Sequence, residues 1–180
     1  RTKLAVFNSN EIIDTIVEKD ISIDLVQTIV EKYSGIQSSI LSSVKDSDFD
    51  MISFLKSHFD NFIELNENTI LPIENNYKTK STLGKDRIAA VVGANNIFPN
   101  TNVLVIDMGT AITFDFINSK NQYLGGTISP GLEMRFRALN HFTNKLPLLS
   151  KSEEFSLIAE STESAIISGV QNGIIHEING

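Results

Sequence analysis

The sequence predicts an α/β protein made of two related halves. Patterns of strands followed by helices occur twice along the chain, before and after the boundary that Pro99-Asn100-Thr101 marks. The glycines are unevenly spread, since only Gly35 precedes position 84 and the other nine lie from Gly84 onward. We therefore expect a first half over residues 1–98, a second half over residues 99–180, and most of the special backbone geometry in the later part.

The composition limits the class of protein. The chain has 180 residues, 22 acidic and 15 basic side chains, a formal net charge of −7 and 41% apolar residues. This length can bury a sizeable core, and the acidic excess argues against a broad nucleic-acid-binding surface. No apolar run approaches the roughly 18 residues of a membrane span, so we expect no membrane partner. The absence of cysteine excludes disulfides, thiolate zinc sites and a cysteine nucleophile, and makes the reducing cytoplasm the expected location.

Four strands and two helices are predicted before residue 66. The strands cover residues 4–7, 11–17, 36–44 and 62–65. Ser22 is placed to cap the first helix, which Gly35 ends. The second helix covers residues 48–59 and carries Phe49 on its apolar face.

Three helices and three strands are predicted in the later part. The helices cover residues 85–95, 132–142 and 152–178. Residues 103–106 form an unbroken apolar run, which is typical of a strand buried on both faces. In the next strand Ile112, Phe114 and Phe116 alternate with polar residues, and residues 123–128 form the third.

Asp107-Met108-Gly109-Thr110 follows the predicted strand over residues 103–106. The glycine lets the backbone approach an anion closely, and free amides with a threonine hydroxyl are good phosphate donors. Asp107 could hold a cation beside those phosphates, because hard cations prefer oxygen ligands. An Asp-x-Gly sequence is also common in ordinary β-turns, so these four residues alone leave both interpretations open.

Gly84-Lys85-Asp86-Arg87 stands at the start of a predicted helix. In a structural interpretation, the acid stabilises the helix N-terminus by about 0.3–1 kcal/mol. In a functional interpretation, Arg87 binds a substrate carboxylate and Asp86 accepts the proton of a hydroxyl that attacks phosphorus. From these residues alone the structural interpretation is favoured.

The segment from Gly125 to Gly131 has three glycines in seven positions. This density indicates close approach of the backbone either to a ligand or to another element, and the sequence favours neither. Thr162, near a helical turn, could be a simple cap. Arg135, Arg137 and Lys145 are expected on a solvated face, and the three histidines lack metal-ligand spacing.

Taken in order, these motifs resemble the type III pantothenate kinase family. The matching residues are Tyr77, Gly84-Lys85-Asp86-Arg87-Ile88-Ala89, Asp107-Met108-Gly109-Thr110-Ala111-Ile112-Thr113, the Gly-Gly-Thr-Ile-Ser-Pro-Gly segment, Thr162, Gly169 and Gln171-Asn172-Gly173. The resemblance implies an actin-like, sugar-kinase-type fold of two ribonuclease-H-like halves. It also implies ATP-dependent phosphorylation of pantothenate, the first step of coenzyme A biosynthesis, by a cytoplasmic homodimer that uses Mg²⁺.

The resemblance also implies roles for individual residues. Asp86 matches the proton acceptor. The positions matching pantothenate contacts are Tyr77, Gly84, Lys85, Asp86, Arg87 and Thr162, the last near a dimer interface. Asp107 matches the ligand of a monovalent cation, K⁺ or NH₄⁺. The positions matching ATP contacts are Arg1, Thr2, Lys3 and Thr110.

The chain departs from the family pattern at its ends. In the family, an Asp-x-Gly-Asn-Thr phosphate loop directly precedes the residues that match Arg1 to Lys3, and the sequence continues well past the position of Gly180. We therefore expect both halves to be truncated at the chain ends. This departure supports a second hypothesis, a catalytically silent ligand-binding or regulatory protein of the same fold. A generic sugar or acetate kinase of that fold is disfavoured by Gly84-Lys85-Asp86-Arg87 after Tyr77.

Overall fold

The computed structural model describes residues 2–43 and 49–180. Over these residues it contains five α-helices and eight strands in three sheets, which confirms the α/β class. The chain divides into two compact units, Arg1–Thr69 and Ile70–Gly180. This boundary precedes the predicted one because the helix that carries Asp86 packs on strands of the second unit. That the chain consists of two ribonuclease-H-like halves stays a prediction.

The first unit contains a β-hairpin. Strands β1 (Thr2–Asn8) and β2 (Glu11–Glu18) pair antiparallel, with Val6 opposite Asp14. Ser9 lies in the turn with a φ of 54°, a left-handed conformation that short polar residues tolerate better than apolar ones. The two predicted strands and their turn are confirmed.

The rest of the first unit alternates helices with short parallel strands. Helix α1 (Ile23–Lys32) is capped as predicted by Ser22, whose Oγ accepts a hydrogen bond from the Leu25 N–H at 3.3 Å. Strands β3 (Ser38–Leu41) and β4 (Asn61–Glu64) pair in parallel, and α2 (Phe49–His58) lies between them in the chain. A small apolar core is formed by Val26, Leu55 and Phe59.

Two sequence predictions in this unit need correction. β3 is shorter than the predicted residues 36–44, of which Val44 lies outside the described residues, as does Asp48 of the predicted helix. Phe49 is 79% exposed rather than part of an apolar face. It is the first residue of α2, whereas the buried Leu55 lies in the last turns of the helix and joins the core with Phe59 just beyond its end.

The second unit is built on a four-stranded sheet in the order β5-β8-β7-β6. Its strands are β5 (Glu74–Asn75), β6 (Val103–Met108), β7 (Ala111–Ile117) and β8 (Gln122–Pro130). β5 pairs with β8 in parallel, and the other pairs are antiparallel. The three predicted strands of this part are confirmed as β6, β7 and β8.

Three helices accompany this sheet. Helix α3 (Lys85–Ile97) packs against β6 and β7. Helices α4 (Leu132–Phe142) and α5 (Thr162–Asn179) pack on each other around the buried Phe136, Ile166 and Val170. Among the described helices, none has both the length and the apolar character needed to cross a membrane.

The prediction that residues 103–106 are buried on both faces is wrong. Val103 and Val105 are half-buried, but Leu104 is 54% exposed and Met108 is 57% exposed. In the part of the chain that the structure describes, β6 is the last strand of its sheet. Helix α3 covers the face that carries Val105, which leaves the alternate side chains open.

The prediction of a helix over residues 152–178 is also wrong at its start, since α5 begins at Thr162. Ser161 caps it in a capping box with Ser164. The preceding segment is held by side chains of α5 instead of being helical. The Gln171 amide bonds both the N–H and the C=O of Ser152, at 2.8 and 3.0 Å, and the Ser168 hydroxyl donates to a carbonyl of the same segment.

Gly126 is expected to be indispensable for the sheet. A Cβ at this position would lie 1.7 Å from the Phe114 carbonyl oxygen, an approach that backbone atoms cannot relieve easily. We expect Gly126→Ala to lower the free energy of unfolding by at least about 1–3 kcal/mol, measured by urea denaturation.

Gly93 provides the matched control, because it lies inside α3 and a Cβ there would meet nothing within 4 Å. We expect Gly93→Ala to raise the free energy of unfolding by about 1 kcal/mol. Equal effects of the two substitutions would contradict the tight approach at Gly126.

Candidate functional site

A buried ion pair joins the start of α3 to the middle of the sheet. The Arg87 guanidinium lies against the carboxylate of Asp115, with Nη2 2.6 Å from Oδ1 and Nε 3.1 Å from both carboxylate oxygens. Arg87 is 5% exposed and Asp115 is 1% exposed. The hydrogen bonds that Arg87 donates to Asp115 raise the pKa of Arg87 further above its usual range, so this side chain is a permanent cation.

Two tyrosines complete the buried cluster. The Tyr123 hydroxyl donates to Asp115 Oδ1 at 2.6 Å. Burial raises the pKa of Tyr123 above its ordinary value, and the neighbouring carboxylate adds to the shift. The Tyr77 ring stacks near Tyr123, with ring centroids 6.0 Å apart, and lies 5.6 Å from the Arg87 Cζ atom. Tyr77 reaches this position because it lies two residues after the end of β5, which is paired with β8.

A bulge in β8 directs Tyr123 toward Asp115. The pairing register shifts between Phe116 and Ile117, so that Gly125 opposes Phe116 while Tyr123 opposes Ile117. Gly125 has a φ of +101°, a conformation that favours glycine. A Cβ there would also lie 3.3 Å from the Tyr77 ring, so this glycine serves both the bulge and the packing of Tyr77.

Asp86 lies at the mouth of this cluster with its side chain exposed. Its Oδ1 accepts a hydrogen bond from the Arg87 backbone N–H at 2.8 Å. A Cβ at Gly84 would lie 2.5 Å from the same oxygen, so the carboxylate occupies the space that a side chain at this position would take. Lys85 is the first residue of α3 and is half-buried.

The sheet register places Asp107 on the same face as the ion pair. Asp107 lies opposite Thr113, and Val105 lies opposite Asp115. Side chains two residues apart on a strand point to the same face at a spacing of about 6.8 Å. The exposed Asp107 is therefore one step beyond the buried Asp115, on the face that α3 covers only in part.

The segment Asp107-Met108-Gly109-Thr110 forms the end of β6 and the turn into β7. The Gly109 N–H donates to the Ala111 carbonyl at 2.9 Å, and the Thr110 carbonyl accepts from the Gly131 N–H at 3.0 Å. A Cβ at Gly131 would lie 2.3 Å from the Gly109 carbonyl oxygen. The turn therefore packs against the start of α4.

Each glycine of the Gly125 to Gly131 segment is explained by protein atoms in its neighbourhood. The neighbours are the Tyr77 ring for Gly125, the β7 backbone for Gly126 and the Gly109-Thr110 turn for Gly131. Of the two interpretations that the sequence left open, the structure supports close approach to other elements.

The remaining predicted site residues lie elsewhere. Thr162 is the first residue of α5 and lines an apolar groove of about 710 Å³ between α4 and α5. Thr2 and Lys3 are exposed residues of β1 in the first unit, and Arg1 lies outside the described residues. The structure thus brings Tyr77, Gly84, Asp86 and Arg87 together, with Asp107 and Thr110 on the adjoining part of the sheet.

The expectation that Arg135 belongs to a solvated face is wrong. Its guanidinium donates to the Pro130 carbonyl at 2.7 Å and to the Ser129 hydroxyl at 3.2 Å, and it forms an ion pair with Glu177. Arg135 therefore ties the end of β8 to α5. The three histidines are exposed, and the described residues contain no group of three or more His, Cys, Asp or Glu side chains suited to a metal ion.

Sequence reasoning did not single out Asp115 and Tyr123, which the structure places in the buried cluster with Arg87. The available signal was the position of Asp115 between Phe114 and Phe116 in an otherwise largely apolar strand. A carboxylate at such a place requires a partner when it is buried. Its partner is 28 residues away in the chain, so no local pattern identifies it.

Comparison with known proteins relates the whole chain to one family. A family model described as type III pantothenate kinase matches residues 1–180. The type III pantothenate kinase of Christiangramia forsetii is 44% identical over 180 residues, which are 99% of this chain and 73% of that protein. The corresponding protein of Phocaeicola vulgatus is 42% identical over 183 residues, with 99% and 73% coverage. These relatives give no support to a catalytically silent regulator.

One solved structure has a similar fold. A Campylobacter jejuni protein, solved under the description of a Baf family transcriptional activator, superimposes with a TM-score of 0.56 at 26% sequence identity. The match covers 86% of this chain and 67% of that protein.

The ion pair between Arg135 and Glu177, which links β8 to α5, is expected to weaken in acid. Hydrogen bonds from Ser129 and then Arg135 lower the pKa of Glu177 below its ordinary value of 4.5. A lowered pKa in the folded state stabilises the protein above the unfolded-state pKa, and this contribution is lost as the pH falls through the folded-state pKa. We expect Glu177→Gln to lower Tm at pH 7, and the difference from the parent to shrink below about pH 4.

Differential scanning calorimetry between pH 7 and pH 3 measures this effect. The exposed Glu153 provides a control, and Glu153→Gln should leave Tm nearly unchanged at pH 7. A Tm difference for Glu177→Gln that is constant over the whole pH range would contradict the interpretation.

Proposed function

Since the chain belongs to the type III pantothenate kinase family, we propose that the start of α3 and the adjoining sheet face form its pantothenate site, with Asp86 as the proton acceptor. The family establishes the reaction: the enzyme transfers a phosphoryl group from ATP to pantothenate in coenzyme A biosynthesis. The observation that carries the proposal is the exposed Asp86 carboxylate, held at one oxygen by the Arg87 N–H.

In the proposed mechanism, the pantothenate hydroxyl oxygen attacks the γ-phosphorus of ATP. The new O–P bond forms as the bond to the ADP oxygen breaks, and the hydroxyl proton passes to Asp86. A carboxylate is too weak a base to ionise an alcohol in advance, so the proton moves late and Asp86 mainly orients the attacking oxygen. Because Oδ1 is engaged by the Arg87 N–H, Oδ2 is the oxygen proposed to meet the hydroxyl.

The residues around Asp86 are proposed to hold pantothenate. These residues are Tyr77, Gly84, Lys85 and Arg87, with Thr162 as a further contact near a dimer interface. Asp115 already occupies the Nε and Nη2 edge of the Arg87 guanidinium. Nε and Nη2 are therefore not available to form a bidentate pair with a substrate carboxylate while they bond Asp115. We propose that Arg87 contacts pantothenate through Nη1 instead.

ATP and a divalent metal follow from the family, and the described residues are compatible with both. They contain no cluster of three or more potential metal-ligating side chains, which suits Mg²⁺ held largely by phosphates and water. The exposed Asp107 and the Thr110 hydroxyl are hard oxygen donors, and we propose that Asp107 holds a monovalent cation, K⁺ or NH₄⁺. Bound cations neutralise the charge that develops on the phosphoryl group.

The proposal extends to the rest of the molecule. Arg1, Thr2, Lys3 and Thr110 are proposed ATP contacts, on the basis of the family resemblance of their positions. The same resemblance supports an actin-like arrangement of two ribonuclease-H-like halves, a homodimer and a cytoplasmic location. An apolar groove lined by Thr162 and Ile166 is compatible with an association surface at that end of the molecule.

Removal of the proposed proton acceptor tests the mechanism. Asp86→Asn keeps the shape of the side chain but removes its basicity, so we expect kcat to fall by about 10²–10⁴-fold. The rate of pantothenate-dependent ADP release by the full-length protein is the measurement, with circular dichroism to confirm folding. Asp24 lies in the first turn of α1, as Asp86 lies in the first turn of α3. Asp24→Asn is therefore the control and should leave kcat unchanged. A normal kcat for Asp86→Asn would remove this residue from the mechanism.

The cation proposal is tested by changing the salt. With ATP, Mg²⁺ and pantothenate, we expect faster ADP release in potassium than in sodium, and we expect Asp107→Asn to abolish that difference. A potassium effect that persists in Asp107→Asn would place the cation elsewhere. Pantothenate binding without any ADP release, from folded protein in either salt, would support the silent alternative instead.

A further inference from the structure

We propose that Asp115 is a positioning residue for phosphoryl transfer, which fixes the Asp86 carboxylate through Arg87. This inference rests on the proposed role of Asp86. No resemblance or relative assigns a role to Asp115, and its importance comes from the geometry of the buried cluster alone.

Asp115 is too deeply buried to meet a substrate itself. It is 1% exposed, and both carboxylate oxygens are engaged by protein donors. Oδ1 accepts from Arg87 Nη2 and from the Tyr123 hydroxyl, each at 2.6 Å, and Oδ2 accepts from Arg87 Nε at 3.1 Å. Any effect of this residue on the reaction must therefore pass through its neighbours.

Stability alone does not account for such a pair. Removing two charges from water is costly, and buried ion pairs can often be replaced by apolar residues without loss of stability. The pair fixes the relative orientation of its two side chains, because the planar guanidinium of Arg87 fits the carboxylate in one orientation. We therefore infer that the pair fixes where residue 87 lies relative to β7.

The backbone of Arg87 carries this constraint to Asp86. The Arg87 N–H is the donor that holds Asp86 Oδ1 at 2.8 Å, so the anchored residue also supplies the carboxylate's hydrogen bond. The same oxygen occupies the space that a Cβ at residue 84 would take, and the Gly84 carbonyl accepts from the Ile88 N–H at 3.2 Å to close the first turn. The Asp115 carboxylate is thus linked to the Asp86 carboxylate through two contacts of Arg87, one of its guanidinium and one of its backbone N–H.

The other side of the cluster supports a second proposed substrate contact. Tyr77 stacks beside Tyr123, with ring centroids 6.0 Å apart, and lies near the Arg87 guanidinium. Loss of the Asp115 charge would leave Arg87 buried without its counter-ion, and the guanidinium would be expected to shift toward the open face. Such a shift would disturb both Tyr77 and Asp86, whereas the proposed ATP contact Thr110 lies in the β6–β7 turn, which is held against the start of α4.

The test is the Asp115→Asn variant of the full-length protein. A displacement of about 1 Å at a reacting group can cost about 10²-fold in rate, so we expect kcat to fall by about that factor. We also expect a higher KM for pantothenate and a KM for ATP within about twofold of the parent. A general loss of structure would not separate the two KM values in this way.

Asp14 provides a matched control in the first unit. Its carboxylate accepts hydrogen bonds from Lys32 Nζ at 2.8 Å and from the Tyr33 hydroxyl at 2.7 Å, a cation and a tyrosine as at Asp115. Asp14→Asn should leave kcat and the KM for pantothenate unchanged. A fall in kcat equal to that of Asp115→Asn would overturn the positioning role.

A double-mutant cycle with Asp86 identifies the route of the effect. If Asp115 acts through Asp86, the double variant should have a kcat within about threefold of that of Asp86→Asn alone. If the double variant lost kcat by the product of the two single-variant factors, the inference would be overturned. If Asp115→Asn does not fold, Tyr123→Phe replaces it in the cycle, since it removes one bond to Asp115 and keeps the ion pair. Tyr123→Phe should lower kcat by a smaller factor than the one expected for Asp115→Asn. A kcat equal to that of the parent in Tyr123→Phe would overturn the inference.

The two proposals fail separately. A normal kcat in Asp86→Asn overturns the proposed proton acceptor. A large effect of Asp86→Asn together with normal kinetics in a folded Asp115→Asn overturns only the positioning role.

Discussion

The second compact unit depends on the ion pair between Arg87 and Asp115. A guanidinium and a carboxylate that are each at least 95% buried must meet, since either charge alone would be strongly disfavoured in the interior. This requirement ties the start of α3 to β7, and with it the first turn of the helix, where Asp86 lies. Family membership supplies the reaction, and the ion pair anchors the residue whose backbone N–H holds the Asp86 carboxylate.

Close backbone approach is the second constraint on the site. Glycines occupy positions 84, 126 and 131: backbone oxygens leave no space for a Cβ at Gly126 and Gly131, and the movable Asp86 carboxylate lies at the Cβ position of Gly84. They allow Asp86 to fold over the helix start, β7 and β8 to pair tightly, and the β6–β7 turn to contact the start of α4. Contacts within the protein thus account for these glycines of the chain.

Polar side chains hold the helices of the second unit where apolar packing is limited. Arg135 links the end of β8 to Glu177, and Gln171 bonds the backbone of Ser152 through both its amide groups. These bonds explain two incorrect sequence predictions, the solvated Arg135 and the long helix from residue 152. Arg135 was expected to face water but bonds the Pro130 carbonyl, and Gln171 satisfies the backbone groups of Ser152 in an irregular segment.

The sequence by itself determined the features that depend on neighbouring residues. These include the β1–β2 hairpin, the cap at Ser22, the bounds of α4 and the ordered motifs that identify the family. Only the tertiary structure decided the exposure of Leu104, the burial of Arg87 and the importance of Asp115. Each of these depends on an element distant in the chain, as with the 28 residues between Arg87 and Asp115. Hydrophobic periodicity and turn chemistry report local conformation, and they carry no information about which buried charge meets which partner.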